Sequence, residues 1–305
     1  MVRFASALLY LAAAALGRLP WRLLNRFGNG LAWLWARNGA RESHVARVNL
    51  GIAYPEALPA EREEWHQAIL RTTARQFLET LRFWTRPHPG NLSLITRTSG
   101  IGLFDDALAS GKGVIVAAPH YGNWELLNQW LAWRTPISVL YRPPESKVGE
   151  AFLRRVRADS AERVTQIRAD GPAAVRQLLR LLRDGGVTGI LPDQQPKAGD
   201  GEFAPFFGKA ALTMTLLGRL AARTGATVLF AYCERIGAGP EFALHVEPAP
   251  EGIADPDPVV ATTALNAAVE RIARRDLAQY QWTYKRWRLR PAGSNEPNPY
   301  ERTGT

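Results

Sequence analysis

The sequence predicts an α/β fold with a central, mainly parallel sheet flanked by helices, preceded by an N-terminal helical segment that associates with a membrane. Short apolar segments alternate with amphipathic segments of helical length from residue 92 to residue 278. Strands separated by helices pair mainly in parallel, because each helix returns the chain to the same edge of the sheet. The chain has 305 residues, 46% of them hydrophobic, which suffices for the core of one large domain.

The N-terminal segment carries the signals of a membrane surface. Residues 4–16 (FASALLYLAAAAL) contain no charge, although a spanning helix needs roughly 20 apolar residues. Arginines at positions 18, 22 and 26 then recur at helical spacing among tryptophans and leucines. Arginine and tryptophan together are typical of a helix that lies in the headgroup region. A secretory signal peptide and a buried helical hairpin are the alternatives.

The remaining elements follow in order along the chain. Helical periodicity covers residues 40–50 and 60–84, and residues 92–98 have strand character. Further strands are predicted at 113–119, 137–141, 164–167, 187–193, 227–235 and 242–248. Helices are predicted over 123–134, 146–159, 172–185, 212–224 and 257–278. The chain therefore divides into a membrane-anchoring helical segment at 1–38, an α/β domain at 39–291 and a mobile tail at 292–305.

The composition indicates an anionic partner and excludes several kinds of site. The net charge of +10 suits nucleic acid, phosphorylated lipid headgroups or an acidic protein. The one cysteine, Cys233, excludes an intrachain disulfide, and no Cys/His cluster has the spacing of a zinc finger. The sequence contains no P-loop, dinucleotide fingerprint or recognised nucleic-acid module. We therefore expect no cofactor, no metal and no nucleic-acid partner.

A titratable pair follows one of the predicted strands. His120 comes directly after the strand at 113–119, and Glu125 lies in the first turn of the next helix. Ligands of α/β sheets bind beyond the carboxyl ends of the strands. A carboxylate on one imidazole nitrogen fixes the tautomer and supports the charge formed when the other nitrogen accepts a proton. His120 is therefore predicted to be a general base with Glu125 as its partner, and a capping or core histidine is the alternative.

The expected nucleophile is a hydroxyl of the substrate. The chain has no G-x-S-x-G elbow, and Cys233 lies inside a predicted strand. Arg142 follows the strand at 137–141, where two prolines would fix its direction. It would bind an anionic headgroup or stabilise an oxyanion, or else pair with a nearby acid. Asp193 and Gln194 also stand at a strand end, where Asp193 would hold Arg142 or a substrate hydroxyl.

Two further segments are candidates for binding. In the segment 202–213, Phe207 would line an acyl channel or simply pack in the core, and Gly208 would allow close backbone approach before a helix start. The segment 279–291 (QYQWTYKRWRLRP) alternates aromatic and basic residues. That pattern suits stacking on nucleic acid bases, a sheet edge or a membrane-surface patch.

Taken together, six blocks in the same order resemble one family. They are RVNLGIAYPE (47–56), HYGNWE (120–125), YRPPES (141–146), PDQ (192–194), FFGKAALT (206–213) and QYQWTYKRWRLRP (279–291). The chain resembles the late acyltransferases of lipid A biosynthesis, of the lauroyl and myristoyl transferase type. These belong to the glycerolipid acyltransferase superfamily, which is marked by a histidine, four residues and then an acid. Many relatives have aspartate where this chain has Glu125.

The resemblance implies a glycerolipid acyltransferase-like fold at the cytoplasmic face of the bacterial inner membrane, monotopic or single-pass. The implied donor is an acyl thioester on acyl carrier protein, and the implied acceptor is a hydroxyl of a lipid A precursor. By the motif match His120 is the base and Glu125 its partner, while Arg142 and Asp193 help to form the site. Acyl transfer to another glycolipid or phospholipid, hydrolysis by a thioesterase or esterase, and a binding protein without catalysis are the alternatives.

Overall fold

A seven-stranded sheet forms the centre of the fold in the described part of the chain, in the order β1-β9-β8-β2-β5-β3-β4. The computed structural model describes residues 1–141, 144, 146–156, 162–168 and 171–301. The strands of this sheet are β1 (Ile95–Ser99), β2 (Val114–Ala117), β3 (Ile137–Tyr141), β4 (Val164–Arg168), β5 (Val187–Ile190), β8 (Thr227–Ile236) and β9 (Glu241–Pro248). Neighbouring strands are parallel except β8 and β9, which pair antiparallel. The predicted α/β fold with a mainly parallel sheet is confirmed.

Helices cover both faces of the sheet. The helices of the described residues are α1 (Val2–Gly17), α2 (Trp21–Arg37), α3 (Arg41–Ala53), α4 (Pro59–Thr85), α5 (His88–Leu92), α6 (Ile101–Ala109), α7 (Trp124–Arg134), α8 (Lys147–Val156), α9 (Gly171–Arg183), α10 (Leu216–Thr224) and α11 (Pro258–Ala273). All four residues of β2 are buried, and they alternate between the two faces. Ile115 joins the core formed with α9, α10 and α11, whereas Val116 joins the core formed with α6 and α7. The uninterrupted apolar strand in the sequence reflects this burial on both sides.

A β-hairpin replaces part of one predicted helix. Strands β6 (Gly201–Phe206) and β7 (Lys209–Met214) pair antiparallel, and helix α10 begins only at Leu216. The turn residues Phe207 and Gly208 have φ values of 49° and 71°, which is the requirement of a two-residue type I′ hairpin turn. The prediction of a helix start after Gly208 was therefore wrong. The local helix propensity is high at Ala210, Ala211 and Leu212. The turn nevertheless places these residues in a strand that pairs with β6.

The N-terminal helices pack on the fold and expose apolar side chains. Both α1 and α2 contact α4, and α1 also contacts α8. Their exposed large apolar side chains include Phe4, Leu8, Leu11, Leu23, Phe27, Trp33 and Leu34. Among the described helices, none is long and apolar enough to cross a membrane by itself. The consecutive pair α1 and α2 meets the length and composition test together, with a bend of 113° between them.

The C-terminal segment returns to the start of the α/β part. Tyr300, within the tail expected to be mobile, is buried, and its hydroxyl donates a 2.5 Å hydrogen bond to the side-chain oxygen of Asn49 on α3. The same hydroxyl accepts a hydrogen bond from the Trp287 backbone. Asn49 also donates to the carbonyls of Trp282 and Tyr284 at 2.6 and 2.7 Å. The aromatic segment 279–291 is thus fixed against α3 by buried hydrogen bonds, and it contains no strand of the sheet.

Candidate active site

The sheet register brings His120 and Asp193 together. Strands β2 and β5 are parallel neighbours, and their register pairs Ala117 with Ile190. His120 and Asp193 each lie three residues beyond that pair, so the two side chains reach the same height above the carboxyl edge of the sheet. This edge is where ligands bind in open α/β sheets.

Asp193 holds His120 through two hydrogen bonds. The Nδ1 atom of His120 lies 2.7 Å from Oδ1 of Asp193, and the His120 backbone N–H donates to Oδ2 at 2.9 Å. Both side chains are buried. An ionised carboxylate only accepts hydrogen bonds, so Nδ1 must carry the proton. The other ring nitrogen, Nε2, is thereby left as the basic atom.

The charge of Asp193 is maintained in spite of its burial. Burial raises the pKa of this carboxyl, but the charge of a protonated His120 and the hydrogen bonds from that residue together lower it by more. The net effect is a pKa below the usual value of an aspartate. Asp193 is therefore an anion at neutral pH, suited to stabilise an imidazolium on His120.

Gln194 occupies the other side of the imidazole. Its side-chain amide nitrogen lies 3.2 Å from Nε2 of His120. An amide N–H donated to Nε2 agrees with the tautomer that Asp193 imposes, because Nε2 then has a lone pair to accept it. Both ring nitrogens of His120 thus have neighbours from the segment 192–194, which the sequence pattern had assigned to substrate.

The backbone around His120 is fixed by the C-terminal segment and by β8. The His120 carbonyl accepts from the Gln281 backbone at 3.0 Å, and the Gly122 N–H donates to the Gln279 carbonyl at 3.0 Å. Gly122 has a φ of 61°, and a Cβ there would lie 2.0 Å from the Cys233 carbonyl oxygen. Only glycine allows this close approach of the loop to β8.

A second carboxylate anchors the residue next to His120. The Tyr121 hydroxyl donates a 2.5 Å hydrogen bond to Glu234, which also pairs with His245 and Arg275. Burial raises the pKa of Glu234, but these donors outweigh it and lower the pKa to about 2. The loop that presents His120 is therefore tied to β8 by a charged network.

Helix α7 begins directly after this loop. The Asn123 side chain accepts from the Leu126 backbone N–H and so caps the helix N-terminus. Its amide also donates to Glu79 of α4, a buried carboxylate that forms an ion pair with Arg235 of β8. Glu125 lies in the first turn of α7 and is 2% exposed. The predicted partnership of Glu125 with His120 stays a prediction.

A small cavity of about 10 Å³ lies beside Asp193, large enough for about one water molecule. Its lining includes Asp193, Tyr280 and Arg286. Arg286 is buried and donates to the Leu212 carbonyl and to the Thr213 hydroxyl. Burial raises the pKa of Tyr280 well above its usual value, and the nearby charge of Asp193 adds to this effect. Tyr280 is therefore a neutral hydroxyl beside the Asp193 carboxylate.

Three larger cavities meet at the His120 edge of the sheet. A mainly apolar cavity of about 210 Å³ is bounded by His120, Trp124, Leu131 and Val139. A second, of about 540 Å³, is bounded by His120 and by residues of α2 and α4. A third, of about 880 Å³, runs between α9 and α10 and reaches Gln194.

The remaining predicted site residues lie elsewhere or outside the described residues. Arg142 belongs to the part of the chain that the structure does not describe. Phe207 packs against Tyr54 and Trp282, and its backbone N–H donates to Glu270. Gly208 is exposed in the hairpin turn. The structure therefore brings Asp193 and Gln194 to His120, and it places Phe207 and Gly208 in a turn beside α11.

Sequence reasoning missed the direct contact of Asp193 with His120. Both residues stand at the ends of predicted strands, but their meeting depends on β2 and β5 being neighbours. Strand order is not visible in a single sequence when other strands intervene. The available signal was that His120 and Asp193 lie equally far along the chain from the ends of their apolar strands.

The chain is similar over most of its length to proteins of one family. The family model described as bacterial lipid A biosynthesis acyltransferase matches residues 1–289. The chain is 26% identical over 295 residues to a lipid A biosynthesis palmitoleoyltransferase of Escherichia coli (strain K12), covering 89% of this chain and 93% of that protein.

Two further relatives carry related names. A lipid A biosynthesis lauroyltransferase of the same organism is 25% identical over 278 residues, covering 90% of this chain and 89% of that protein. A phosphatidylinositol mannoside acyltransferase of Mycobacterium tuberculosis (strain CDC 1551 / Oshkosh) is 28% identical over 227 residues, covering 72% of this chain and 69% of that protein. All of these relatives are named as acyltransferases.

Proposed function

The chain belongs to the bacterial lipid A biosynthesis acyltransferase family, and from this premise we propose that it moves a fatty acyl chain from a carrier-protein thioester to a hydroxyl of a lipid A precursor. The observation that carries the proposal is the His120–Asp193 pair, which leaves Nε2 as a base beside two cavities that His120 itself lines. Such a base activates a hydroxyl, and the family supplies the class of reaction.

The proposed reaction is a direct transfer. Nε2 of His120 removes the proton of the acceptor hydroxyl while its oxygen attacks the thioester carbonyl. Asp193 stabilises the resulting imidazolium through the proton on Nδ1. The carbon–sulfur bond then breaks, the acyl oxygen ester remains on the acceptor, and the thiolate takes up the proton from His120. The scheme needs no metal or cofactor.

Glu125 and Arg142 have further roles in this proposal. Glu125 is the family-motif acid, and its buried position in the first turn of α7 keeps it close to the loop of His120. We assign it to the support of the imidazolium together with Asp193. Arg142 balances the oxyanion that develops on the thioester carbonyl, and the Gln194 amide is a second donor at the site.

The cavities support a division between acyl chain and acceptor. The cavity of about 210 Å³ is lined mostly by apolar side chains and suits the acyl chain. The cavity of about 540 Å³ borders α2 and α4, next to the exposed apolar side chains of the N-terminal helices. A lipid acceptor would reach His120 from that side, with the enzyme lying on the cytoplasmic face of the inner membrane.

A second acceptor class has its own support. The relative named phosphatidylinositol mannoside acyltransferase shares 28% identity over 227 residues. Another glycolipid in place of the lipid A precursor is therefore the alternative acceptor, with the same chemistry at His120.

The test is a transfer assay on the purified full chain. We would incubate it in detergent with carrier-protein thioesters of several chain lengths and a tetra-acylated lipid A precursor, and detect the products by mass spectrometry. A mass gain of one acyl chain is expected, with a rate about 10² to 10⁴ times lower for His120→Ala. Circular dichroism would verify that the variant is folded. Wild-type turnover by His120→Ala contradicts the base assignment, and thioester loss without acylated lipid indicates hydrolysis or the other acceptor.

A further inference from the structure

The groove between α9 and α10 is lined by basic side chains from both walls. Arg176 stands on α9, Arg219 and Arg223 stand on α10, and Lys197 lies in the loop after β5. All four side chains are exposed. One acid, Asp200, also belongs to the lining, so the groove carries a surplus of positive charge. Charge focused in a concave surface attracts anionic partners.

These four cations lack carboxylate partners within the described residues. By contrast, Arg271, Arg274 and Arg275, at the C-terminal end of α11, all form ion pairs with glutamates. No such pair involves the cations of the α9–α10 groove in the described part of the chain. The arginines at the end of α11 are neutralised by ion pairs, and the cations of the groove are not. The groove therefore presents positive charge that an external anion can bind.

The groove leads to the reacting atoms. Its lining includes Gln194, whose amide lies 3.2 Å from Nε2 of His120, and Tyr284, which also lines the acceptor-side cavity. It shares Leu140 with the apolar cavity of about 210 Å³. The first residues of both α9 and α10 lie along it, so the positive ends of two helix dipoles add to the arginines.

Neither helix wall of the groove carries an exposed large apolar side chain. Among the described residues these side chains are concentrated at positions 1–34, and none of them belongs to α9 or α10. A lipid headgroup delivered from a bilayer would be expected to enter beside the N-terminal helices. The apolar residues that line the groove, including Val175, Leu179 and Leu220, are buried or half-buried, whereas its exposed side chains are mainly cations. This arrangement fits a soluble acidic protein instead.

We propose that the α9–α10 groove is the docking surface of the acidic carrier protein and the entry path of its thioester arm. The proposal rests on the carrier-thioester donor of the proposed function and adds the surface that receives it. Arg176, Arg219, Arg223 and Lys197 attract the acidic face of the carrier. The arm follows the groove past Gln194, which places the thioester beside His120 and lets the acyl chain enter the apolar cavity.

The test compares two double variants of equal charge. Arg219→Gln/Arg223→Gln removes two cations of the groove. Arg86→Gln/Arg97→Gln removes two exposed arginines near β1, at the opposite edge of the sheet from β4, and serves as the control. Each protein is assayed with dodecanoyl carrier protein and with dodecanoyl-pantetheine, a thioester that lacks both the protein and the phosphate. Binding of the carrier protein is measured separately by surface plasmon resonance at low and high salt.

The groove variant is expected to raise KM for dodecanoyl carrier protein about tenfold, with kcat within about twofold of wild type. Its carrier affinity should depend less on salt than that of the wild type. Turnover of dodecanoyl-pantetheine should be unchanged, and the control should resemble wild type with both donors. Equal losses with both donors, no loss with either, or a higher KM for the lipid acceptor alone would each overturn the docking proposal.

This design distinguishes a failure of the docking proposal from a failure of the proposed function. If the wild-type protein acylates the lipid from dodecanoyl carrier protein, the proposed function stands whatever the groove variant does. If it acylates no lipid from either donor, the proposed function fails, and the carrier-binding series still decides the docking surface. Unaltered carrier affinity in Arg219→Gln/Arg223→Gln would then refute it.

Discussion

At the scale of single residues, two acids compete for the role of partner to His120. Asp193 contacts Nδ1 at 2.7 Å, whereas Glu125 carries the motif spacing. Substitution by the isosteric amide separates them. We expect Asp193→Asn to lower kcat by about 10² to 10⁴-fold, because an amide no longer stabilises the imidazolium. Steady-state kinetics with the carrier thioester is the measurement.

The matched variant in this comparison is Glu125→Gln. We expect a smaller loss of kcat than in Asp193→Asn, because Asp193 still holds Nδ1. A larger loss in Glu125→Gln would make the motif acid the main partner and would reverse this order. Thermal unfolding of both proteins separates a catalytic effect from a loss of structure.

Glu234 offers a prediction about pH and stability. Its pKa is lowered to about 2 by His245, Arg275 and Tyr121, against the opposing effect of burial. The pKa of Glu234 is lower in the folded protein than its unfolded value near 4.5, so its carboxylate stabilises the fold at pH values above about 4.5. This contribution to stability is lost as the pH falls through about 2. We expect Glu234→Gln to lower the free energy of unfolding by about 2 kcal/mol at pH 7.

The same variant should converge on wild-type stability as the pH falls from 4.5 to 2, because the Glu234 carboxylate becomes protonated first in the unfolded and then in the folded protein. Urea unfolding at several pH values measures this difference. Glu64→Gln, at an exposed glutamate, is the control and should change little at any pH. A constant difference between Glu234→Gln and wild type across the range would disprove the charge argument.

The identities of the individual site residues could be predicted from the sequence, whereas the contacts between them could not. His120, Asp193 and Gln194 all follow apolar strands, which is the expected location of a site in an α/β sheet. Their direct contacts depend on strand order and register, which arise from packing across the whole sheet. Phe207 and Gly208 show the reverse case, because two positive φ values convert a helical pattern into a hairpin.

At the scale of elements, the loop between β2 and α7 depends on one glycine. Gly122 has a positive φ, and a Cβ there would lie 2.0 Å from the Cys233 carbonyl oxygen. Gly111 also has a positive φ but has open space around it. We expect Gly111→Ala to cost about 1–2 kcal/mol, from the backbone conformation alone.

Gly122→Ala should cost more than Gly111→Ala and should also reduce transfer activity, because the clash pushes the His120 loop away from β8. Chemical unfolding and the transfer assay together make the comparison. Equal stability losses in the two variants, with full activity in Gly122→Ala, would show that the loop tolerates the displacement.

Most elements were predictable, and the exceptions have a physical cause. The strands and helices between 113 and 190 follow hydrophobic periodicity and end near the predicted boundaries. The α6 helix and the β6–β7 hairpin were missed, since short elements give little periodic signal. The hairpin is fixed by tertiary contacts, including the donation of the Asn266 amide to the Ala204 and Pro205 carbonyls.

At the scale of the whole molecule, the exposed large apolar side chains of the described residues are concentrated on the N-terminal helices. The exposed apolar side chains of α1 include Phe4, Leu8 and Leu11, with exposed fractions of 70, 51 and 61%. We expect the triple substitution Phe4→Ser/Leu8→Ser/Leu11→Ser to weaken binding to vesicles of phosphatidylethanolamine and phosphatidylglycerol by about tenfold or more, because each side chain contributes about 1–2 kcal/mol when buried in lipid. Vesicle sedimentation is the measurement.

The control removes three exposed apolar side chains from other surfaces. Leu58→Ser/Leu103→Ser/Val259→Ser changes residues that are 65, 39 and 46% exposed and lie outside the N-terminal helices. This protein should sediment with vesicles as the wild type does. If both triple variants lose binding equally, attachment does not depend on α1, and the membrane-anchoring role of residues 1–38 would have to be abandoned.

The hydrogen bond between Asn49 and Tyr300 also determines when the fold can be completed during protein synthesis. The two residues are 251 positions apart, and Asn49 further binds the carbonyls of Trp282 and Tyr284. A ribosome adding about 5–20 residues per second needs roughly 10 to 50 seconds to travel from one to the other. Throughout that interval α3 lacks these partners, and the segment that supports the His120 loop has not been made. The N-terminal helices are therefore synthesised long before the active site is complete. The nascent chain has time to bind the membrane surface through these helices while it is still inactive.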